Sequence, residues 1–248
     1  MAYKVEKVTP WPPGQPKREQ MIRMFDGIAP AYDRMNGILS LGIDGYWRND
    51  ALKELKKYPH KQLLDIATGT GDFAILAQKI LRPAAIAAVD ISEGMMHIGR
   101  EKVRAKGLQN IITFGVQDCA SLTFAGNSFD AVTIAFGVRN FEEIDKSFRE
   151  IRRVLKPGGV FLFIELSIPQ KTPMKQLYAA YTGYVIPLMS GIFAAEQRAY
   201  DYLPRSIAAL PQGREMMLIL KKNGFTNIRL RRYTLGVATL YIAEKPAE

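Results

Sequence analysis

The chain has 248 residues, 48% hydrophobic and 23% charged, proportions that suit a globular protein with room for one substantial α/β core. Its single cysteine, Cys119, excludes an intramolecular disulfide framework. No CxxC or Cys/His cluster has metal-ligand spacing, so no metal is expected. A formal net charge of +10 at pH 7 predicts attraction to anionic partners such as RNA or the acidic face of a bilayer, and a solvated basic surface explains it as well.

In chain order, residues 1 to about 18 are rich in proline and charge and read as an arm that packs on the domain or stays mobile. Pro10, Pro12, Pro13 and Pro16 stand where a signal peptide needs an apolar core, which predicts no export and a reducing cytoplasmic setting. Residues 1–60 form this arm and a helical cap region, and 61–248 the main unit, one structural domain in all. From Gln62 onward, short apolar runs alternate with helical stretches. Leu63 to Ala67, Ala85 to Val89, Ile111 to Val116, Phe129 to Ala135 and Val160 to Leu166 are bounded by Gly, Asp, Asn or Pro and read as buried strands. Between them, Phe73, Leu76, Ala77, Ile80 and Leu81 recur at helical spacing. So do Ile144, Phe148, Ile151, Val154 and Leu155, before a stop at Lys156-Pro157-Gly158-Gly159.

Such alternation specifies a doubly wound parallel sheet whose ligands bind at the carboxyl ends of the strands. Residues 168 to about 215 interrupt it with a helical, aromatic insertion carrying Tyr178, Tyr181 and Tyr184. It reads either as a lid over the strand ends or as a subdomain packed on the core. The uncharged run from Tyr178 to Ala195 is broken by Gly183, Pro187 and Gly191, a poor membrane span and a plausible greasy cover. Asn227 to Tyr233 and Thr239 to Ala243, around Gly236, predict a closing antiparallel hairpin. That ending looks like the seven-stranded class I S-adenosylmethionine-dependent methyltransferase fold.

The sharpest local signal is Leu64-Asp65-Ile66-Ala67-Thr68-Gly69-Thr70-Gly71-Asp72, a strand running through Gly-x-Gly into a helix. The glycines let backbone approach a ligand closely. With Ala74 and Asp90, the spacing also fits a nicotinamide or flavin fingerprint. Charge separates the readings: Asp65 and Asp72 would repel a pyrophosphate at the helix start, whereas the ammonium and sulfonium of S-adenosylmethionine would be attracted. Asp90, with Ile91 beside it, ends the second strand where a carboxylate can accept both ribose hydroxyls. Asp118, after the third strand, can accept from an adenine amino group, its alternative being a solvent-facing cap. Cys119 is expected to pack beside the adenine rather than act as a nucleophile.

Phe25-Asp26-Gly27-Ile28-Ala29-Pro30-Ala31-Tyr32-Asp33-Arg34-Met35-Asn36 with Leu39-Ser40 and Trp47-Arg48, then Ala135-Phe136-Gly137-Val138-Arg139-Asn140, Arg153 to Gly159 through Glu165-Leu166-Ser167, and Tyr200-Asp201-Tyr202-Leu203 carry a resemblance to the ubiquinone and menaquinone biosynthesis C-methyltransferase family from Phe25 to Lys245. The chain departs from the family at Asp44, where a histidine is usual. The resemblance implies S-adenosylmethionine as donor, held by Thr70, Asp90, Asp118 and Cys119. It implies a prenylated quinol as acceptor, demethylmenaquinol or a ubiquinol precursor, collected at the membrane surface by peripheral contact at the inner face. A homodimer is compatible with it, and nucleic acid is not an expected partner.

Transfer to a ring carbon requires an electron-rich ring, and forming a phenolate at pH 7 costs about 4 kcal/mol for a hydroxyl with pKa near ~10. Arg139 can stabilise that anion or orient a water, unless it is taken up by a salt bridge to Glu165 or Asp33. Asn140 can hold the quinol oxygen, with Tyr32, Asn36 and Asp44 closing the pocket. The only histidines, His60 and His97, are expected on the surface or in packing. The alternatives are an RNA methyltransferase, prompted by charge but lacking an Asp-Pro-Pro-Tyr-like stretch, a nicotinamide oxidoreductase, and an inactive scaffold subunit.

Overall fold

The computed structural model describes residues 2–186 and 197–247. Five parallel strands arise from the expected apolar runs: β1 (Gln62–Ile66), β2 (Ala85–Asp90), β3 (Ile112–Val116), β4 (Phe129–Ala135) and β5 (Leu155–Leu166). The hairpin β6 (Thr226–Tyr233) and β7 (Ala238–Glu244) completes a seven-stranded sheet in the order β3-β2-β1-β4-β5-β7-β6. β7 lies antiparallel between β5 and β6. Helices α4 (Asp72–Leu81), α5 (Glu93–Ala105) and α6 (Ile144–Val154) make the crossovers. The chain winds outward both ways from β1 and β4, so their carboxyl ends diverge and leave a crevice at the point of reversal.

Alternation along β5 builds the two cores. Phe161 and Phe163 face one side with Phe148, Phe225 and Tyr241, the rings of Phe161 and Phe163 lying 4.9 Å apart and those of Phe163 and Tyr241 4.8 Å apart. Val160, Leu162 and Ile164 face the other side with Leu63, Phe73 and Trp47, as the two-residue period of a strand requires. Truncating one of these buried phenylalanines to alanine costs about 3–5 kcal/mol.

β5 begins earlier than the sequence predicts. α6 ends at Val154, and Leu155 already pairs with Phe129 before the register shifts and resumes at Ala131 with Val160. Lys156-Pro157-Gly158-Gly159 therefore forms an irregular stretch within the ladder. A Cβ on Gly159 would sit 2.8 Å from the Lys156 carbonyl and 3.0 Å from that of Asp130, so the backbone folds there as only glycine permits.

The amino-terminal arm packs on the domain: Val5 is buried in the first core and the Tyr3 hydroxyl donates to Asp145. Helices α1 (Lys17–Ile28), α2 (Tyr32–Leu39) and α3 (Ile43–Glu54) follow. Beyond β5 come α7 (Met174–Ala180), a π-helical turn (Tyr181–Val185), α8 (Gln197–Ala209) and α9 (Arg214–Lys222). The uncharged run that begins at Tyr178 extends beyond residue 186 outside the described residues. Among the described residues, no helix is long and apolar enough to cross a membrane.

Candidate active site

Two cavities meet at the crevice. The first lies over the carboxyl ends of β1, β2 and β4 and is lined by Gly69, Asp90, Ile91, Asp118 and Cys119, five of the residues expected there. Arg18 and Phe25 of α1 and Tyr32 of α2 cover it, joined by Met95 of α5. Asp90 accepts the Gly69 N–H on Oδ2 at 2.8 Å and the Ser92 N–H on Oδ1 at 2.9 Å. These bonds fix the carboxylate at the strand tip with lone pairs left over for a ribose. Burial pushes Asp90 above its usual range, and backbone N–H donors pull against that.

Asp118 faces the same cavity but pairs with Arg18, Nε to Oδ2 3.0 Å. Cys119 is buried, with its Sγ near the Ser147 carbonyl, and burial raises its thiol well above the ordinary value. A thiol held neutral by burial is a poor nucleophile.

Asp65, Thr70 and Gly71 stand differently. Asp65 and Thr70 line a small recess that shares Tyr32, Ala67, Gly69 and Ala135 with the first cavity. Gly71 lines neither, its φ of +77° serving the turn into α4. Asp65 is 1% exposed and accepts Thr68 Oγ1 at 2.6 Å and Thr133 Oγ1 at 2.7 Å. Burial lifts its pKa to about 6 against those two donors. Thr70 donates to Asp33 at 2.7 Å. Asp72, counted in the sequence as a free negative charge, is bridged by Lys102, which also reaches Asp33. Arg48 also lines the recess but is paired with Asp44, so the negative character of the recess rests on Asp65.

The second cavity, of about 540 Å³, lies between α2, α3, α7 and α8. Its walls are mostly apolar, with Leu39, Trp47, Leu166 and Ile186 among them, and its polar groups include Tyr32, Asp44 and Arg139 as expected. Asp44 accepts the Ser40 hydroxyl at 2.6 Å and pairs with Arg48, Nε to Oδ2 3.2 Å. The Arg48 guanidinium lies 5.2 Å from the centre of the Phe136 ring. Tyr178, another wall residue, is pushed up to about 12 by burial and so stays a neutral phenol.

Arg139 is held by Glu165, the salt bridge weighed as an alternative to a catalytic role. Its Nη1 donates to Glu165 Oε1 at 2.7 Å and to the Phe136 carbonyl, and its backbone N–H reaches Glu165 Oε2 at 3.2 Å. Burial opposes the charge of Arg139, and the Glu165 carboxylate together with Tyr32 and Tyr202 more than offsets it, so the pKa is raised. Both side chains are almost wholly buried, and the Arg139 Nε has no partner within the protein. The pair and the cavity are thus compatible: one edge of the guanidinium is anchored to Glu165, and Arg139 still lines the second cavity.

Asn140 departs from its expected place. It lines the first cavity, not the second, and its Oδ1 accepts the Tyr202 hydroxyl at 3.1 Å.

Two residues, Tyr32 and Phe136, line both cavities. Phe136 holds a left-handed φ of +62° and Ala67 one of +52°, strain of about 1–3 kcal/mol each that clusters where function demands it. A Cβ on Gly137 would fall 2.5 Å from the Ala67 Cβ, so glycine lets the β1 and β4 loops close on each other. The sequence reading left Phe136 out of the site. Its signal was a bulky ring immediately before a glycine at a strand end. Arg18 and Phe25 were missed because nothing in a charged amphipathic helix marks which residue will overhang a distant loop.

The sheet order, the acidic cofactor cavity and the adjoining apolar chamber define a class I methyltransferase. The ubiE/COQ5 methyltransferase family matches residues 15–245, and the chain belongs to that family. A demethylmenaquinone methyltransferase of Bacteroides fragilis is 49% identical over 245 residues, covering 99% of this chain and 100% of the relative. One of Porphyromonas gingivalis is 43% identical over 241 residues, covering 97% and 98%. Among solved structures, the [4+2]-cyclase SpnF superposes with a TM-score of 0.69 over 95% of this chain and 98% of its own, at 18% identity, a likeness of fold alone.

Proposed function

We propose that this protein transfers the methyl group of S-adenosylmethionine to a ring carbon of demethylmenaquinol. The observation that carries the reading is the shared wall: Tyr32 and Phe136 separate a cavity suited to an adenosine from an apolar chamber holding a buried arginine. Demethylmenaquinol is preferred to a ubiquinol precursor because relatives at 49% and 43% identity are named for the former. The acceptor is a lipid, so peripheral contact with a membrane surface belongs to the same reading.

The residues fit the donor. Asp90 presents an anchored carboxylate to ribose hydroxyls, Asp118 can accept from an adenine amino group in place of Arg18 or beside it, and Asp65 gives the recess the negative charge that an ammonium needs. Bound there, S-adenosylmethionine supplies an electrophilic methyl group. The acceptor carbon provides the electron pair of the new C–C bond, the S–CH3 pair stays on sulfur, and the ring loses its displaced proton to water.

The protein's task is to make the ring electron-rich. A hydroxyl with pKa near ~10 costs about 4 kcal/mol to ionise at pH 7. The free edge of Arg139, in a chamber with little water, offsets part of that by facing the developing oxyanion. Asp44, linked to Ser40 and Arg48, has lone pairs left to accept the second hydroxyl. Holding carbon and methyl in line supplies a further term of about 7–11 kcal/mol.

The test is single-turnover transfer from methyl-labelled cofactor to a short-tailed demethylmenaquinol analogue. Label on the ring carbon is expected; label on oxygen, or no transfer, overturns the reading.

A further inference from the structure

Of the ten large apolar side chains left exposed among the described residues, all but Val116 and Leu218 belong to the elements that form the second cavity. Leu41 is 86% exposed, Tyr184 79%, Leu235 71%, Tyr46 64% and Leu177 60%. They come from separate pieces of chain: the turn between α2 and α3, α3 itself, α7, the π-helical turn after it, and the tight turn joining β6 to β7. Leu41 and Leu177 line the cavity as well, so at these two positions the apolar wall continues outward to the surface. Leu235 holds a left-handed φ of +53°, a conformation uncommon for leucine that carries its side chain out of the turn. Scattered exposed leucines are ordinary on a soluble surface, whereas gathering nearly all of them around one opening marks an interaction surface.

Charge selects the partner. Lys171, Lys175 and Arg232 are exposed beside this rim, and none has a carboxylate within ion-pair distance among the described residues. The acids on the same helices are committed elsewhere: Asp33 to Lys102, Asp44 to Arg48, Asp50 and Glu54 to Arg231. The rim thus presents apolar groups flanked by uncompensated cations. A chamber of about 540 Å³ has the size of a pocket for one drug-sized group. It takes the fused ring and the start of a prenyl chain, and the rest of the tail must pass the mouth, where water is an unfavourable surrounding.

We propose that this rim seats on a bilayer containing anionic lipid, and that the acceptor's tail stays in the lipid while its ring enters the cavity. The inference rests on the quinol acceptor proposed above. It adds the surface that meets the membrane and the direction from which the substrate comes.

The experiment is co-flotation with phosphatidylcholine vesicles, with and without phosphatidylglycerol, for the full chain and for a variant carrying Tyr46→Ser, Tyr184→Ser and Leu235→Asn. None of the three residues lines the cavity, and asparagine tolerates the left-handed turn. The variant is expected to lose about tenfold or more of its vesicle binding. Its turnover on long-tailed quinol embedded in vesicles falls in parallel, and turnover on a dispersed short-tailed analogue stays within about twofold. Lys171→Gln with Lys175→Gln weakens binding only where phosphatidylglycerol is present, as does added salt.

Undiminished flotation of the triple variant overturns the proposal, and so does a parent chain that does not float. A dimer that the triple substitution splits, without vesicle binding by the parent, assigns the rim to a second copy instead. If the short-tailed analogue is not methylated by the parent chain, the acceptor reading fails, and flotation still decides the rim separately.

Discussion

Glu165→Gln tests the buried ion pair that holds Arg139 at the wall of the second cavity. Glu165 is 1% exposed and holds Arg139, itself 7% exposed, through a charge-assisted bond of 2.7 Å and a backbone bond of 3.2 Å. The amide keeps an oxygen for one donor and loses the charge, leaving a buried guanidinium uncompensated. Removing one member of such a pair costs about 3–5 kcal/mol. In a domain of this size each kcal/mol shifts the midpoint by about 2–4 °C, so melting is expected to fall by about 6–20 °C, with turnover falling as the guanidinium loses its anchor. Replacing both partners, Arg139→Met with Glu165→Leu, removes the uncompensated charge and is expected to restore most of the stability while leaving turnover near zero. Thermal denaturation followed by circular dichroism gives the first quantity, and labelled methyl transfer the second. A double variant as unstable as the single one refutes the charge argument. A Glu165→Gln protein with parental midpoint and turnover refutes the role of the pair altogether.

Four further outcomes are expected. Asp65 has a folded pKa of about 6 against 3.8 for the free side chain, so its ionisation costs about 3 kcal/mol of stability that sets in as pH rises from about 4 to 6. The same ionisation creates the charge that attracts the donor, so calorimetry should show cofactor affinity increasing as pH rises through about 6, and a pH-independent affinity in Asp65→Asn. Asp90→Ala deprives the Gly69 and Ser92 N–H groups of their acceptor and should weaken S-adenosylhomocysteine binding by roughly 5- to 150-fold, equivalent to about 1–3 kcal/mol; unchanged titration curves would remove Asp90 from the site. Gly137→Ala, with its Cβ 2.5 Å from that of Ala67, should cost about 1–3 kcal/mol in denaturation, whereas Gly115→Ala, with nothing within 4 Å, should cost much less. Asp44→Asn should lower turnover at least tenfold with cofactor affinity intact, and equal turnover would exclude the carboxylate from the chemistry.

The sheet was legible because burial on both faces writes parallel strands as continuous apolar runs, and the hairpin because Gly236 stands between two of them. The start of β5 was hidden by Pro157, Gly158 and Gly159, which read as a stop although the ladder tolerates them at a register shift. In the site, Asp90 and Asp118 were readable from their positions at strand ends, where the fold itself dictates what a side chain meets. Which of two adjacent residues faces which cavity was not: Arg139 and Asn140 point to opposite sides because the 3-10 turn Val138–Asn140 rotates the chain. Asp72 misled for a related reason, since its partner Lys102 is thirty positions away and meets it only through the packing of α4 against α5.

The common wall made by Tyr32 and Phe136 has a kinetic corollary. The first cavity closes beneath α1 at Arg18 and Asp118, whereas the second is lined by the exposed Leu41 and Leu177. On the proposed reading, a water-borne donor and a lipid-borne acceptor have separate doorways and meet at the aromatic partition. On that reading, spent donor exchanges for fresh while a quinol waits in place, and neither arrival obliges the other to come first.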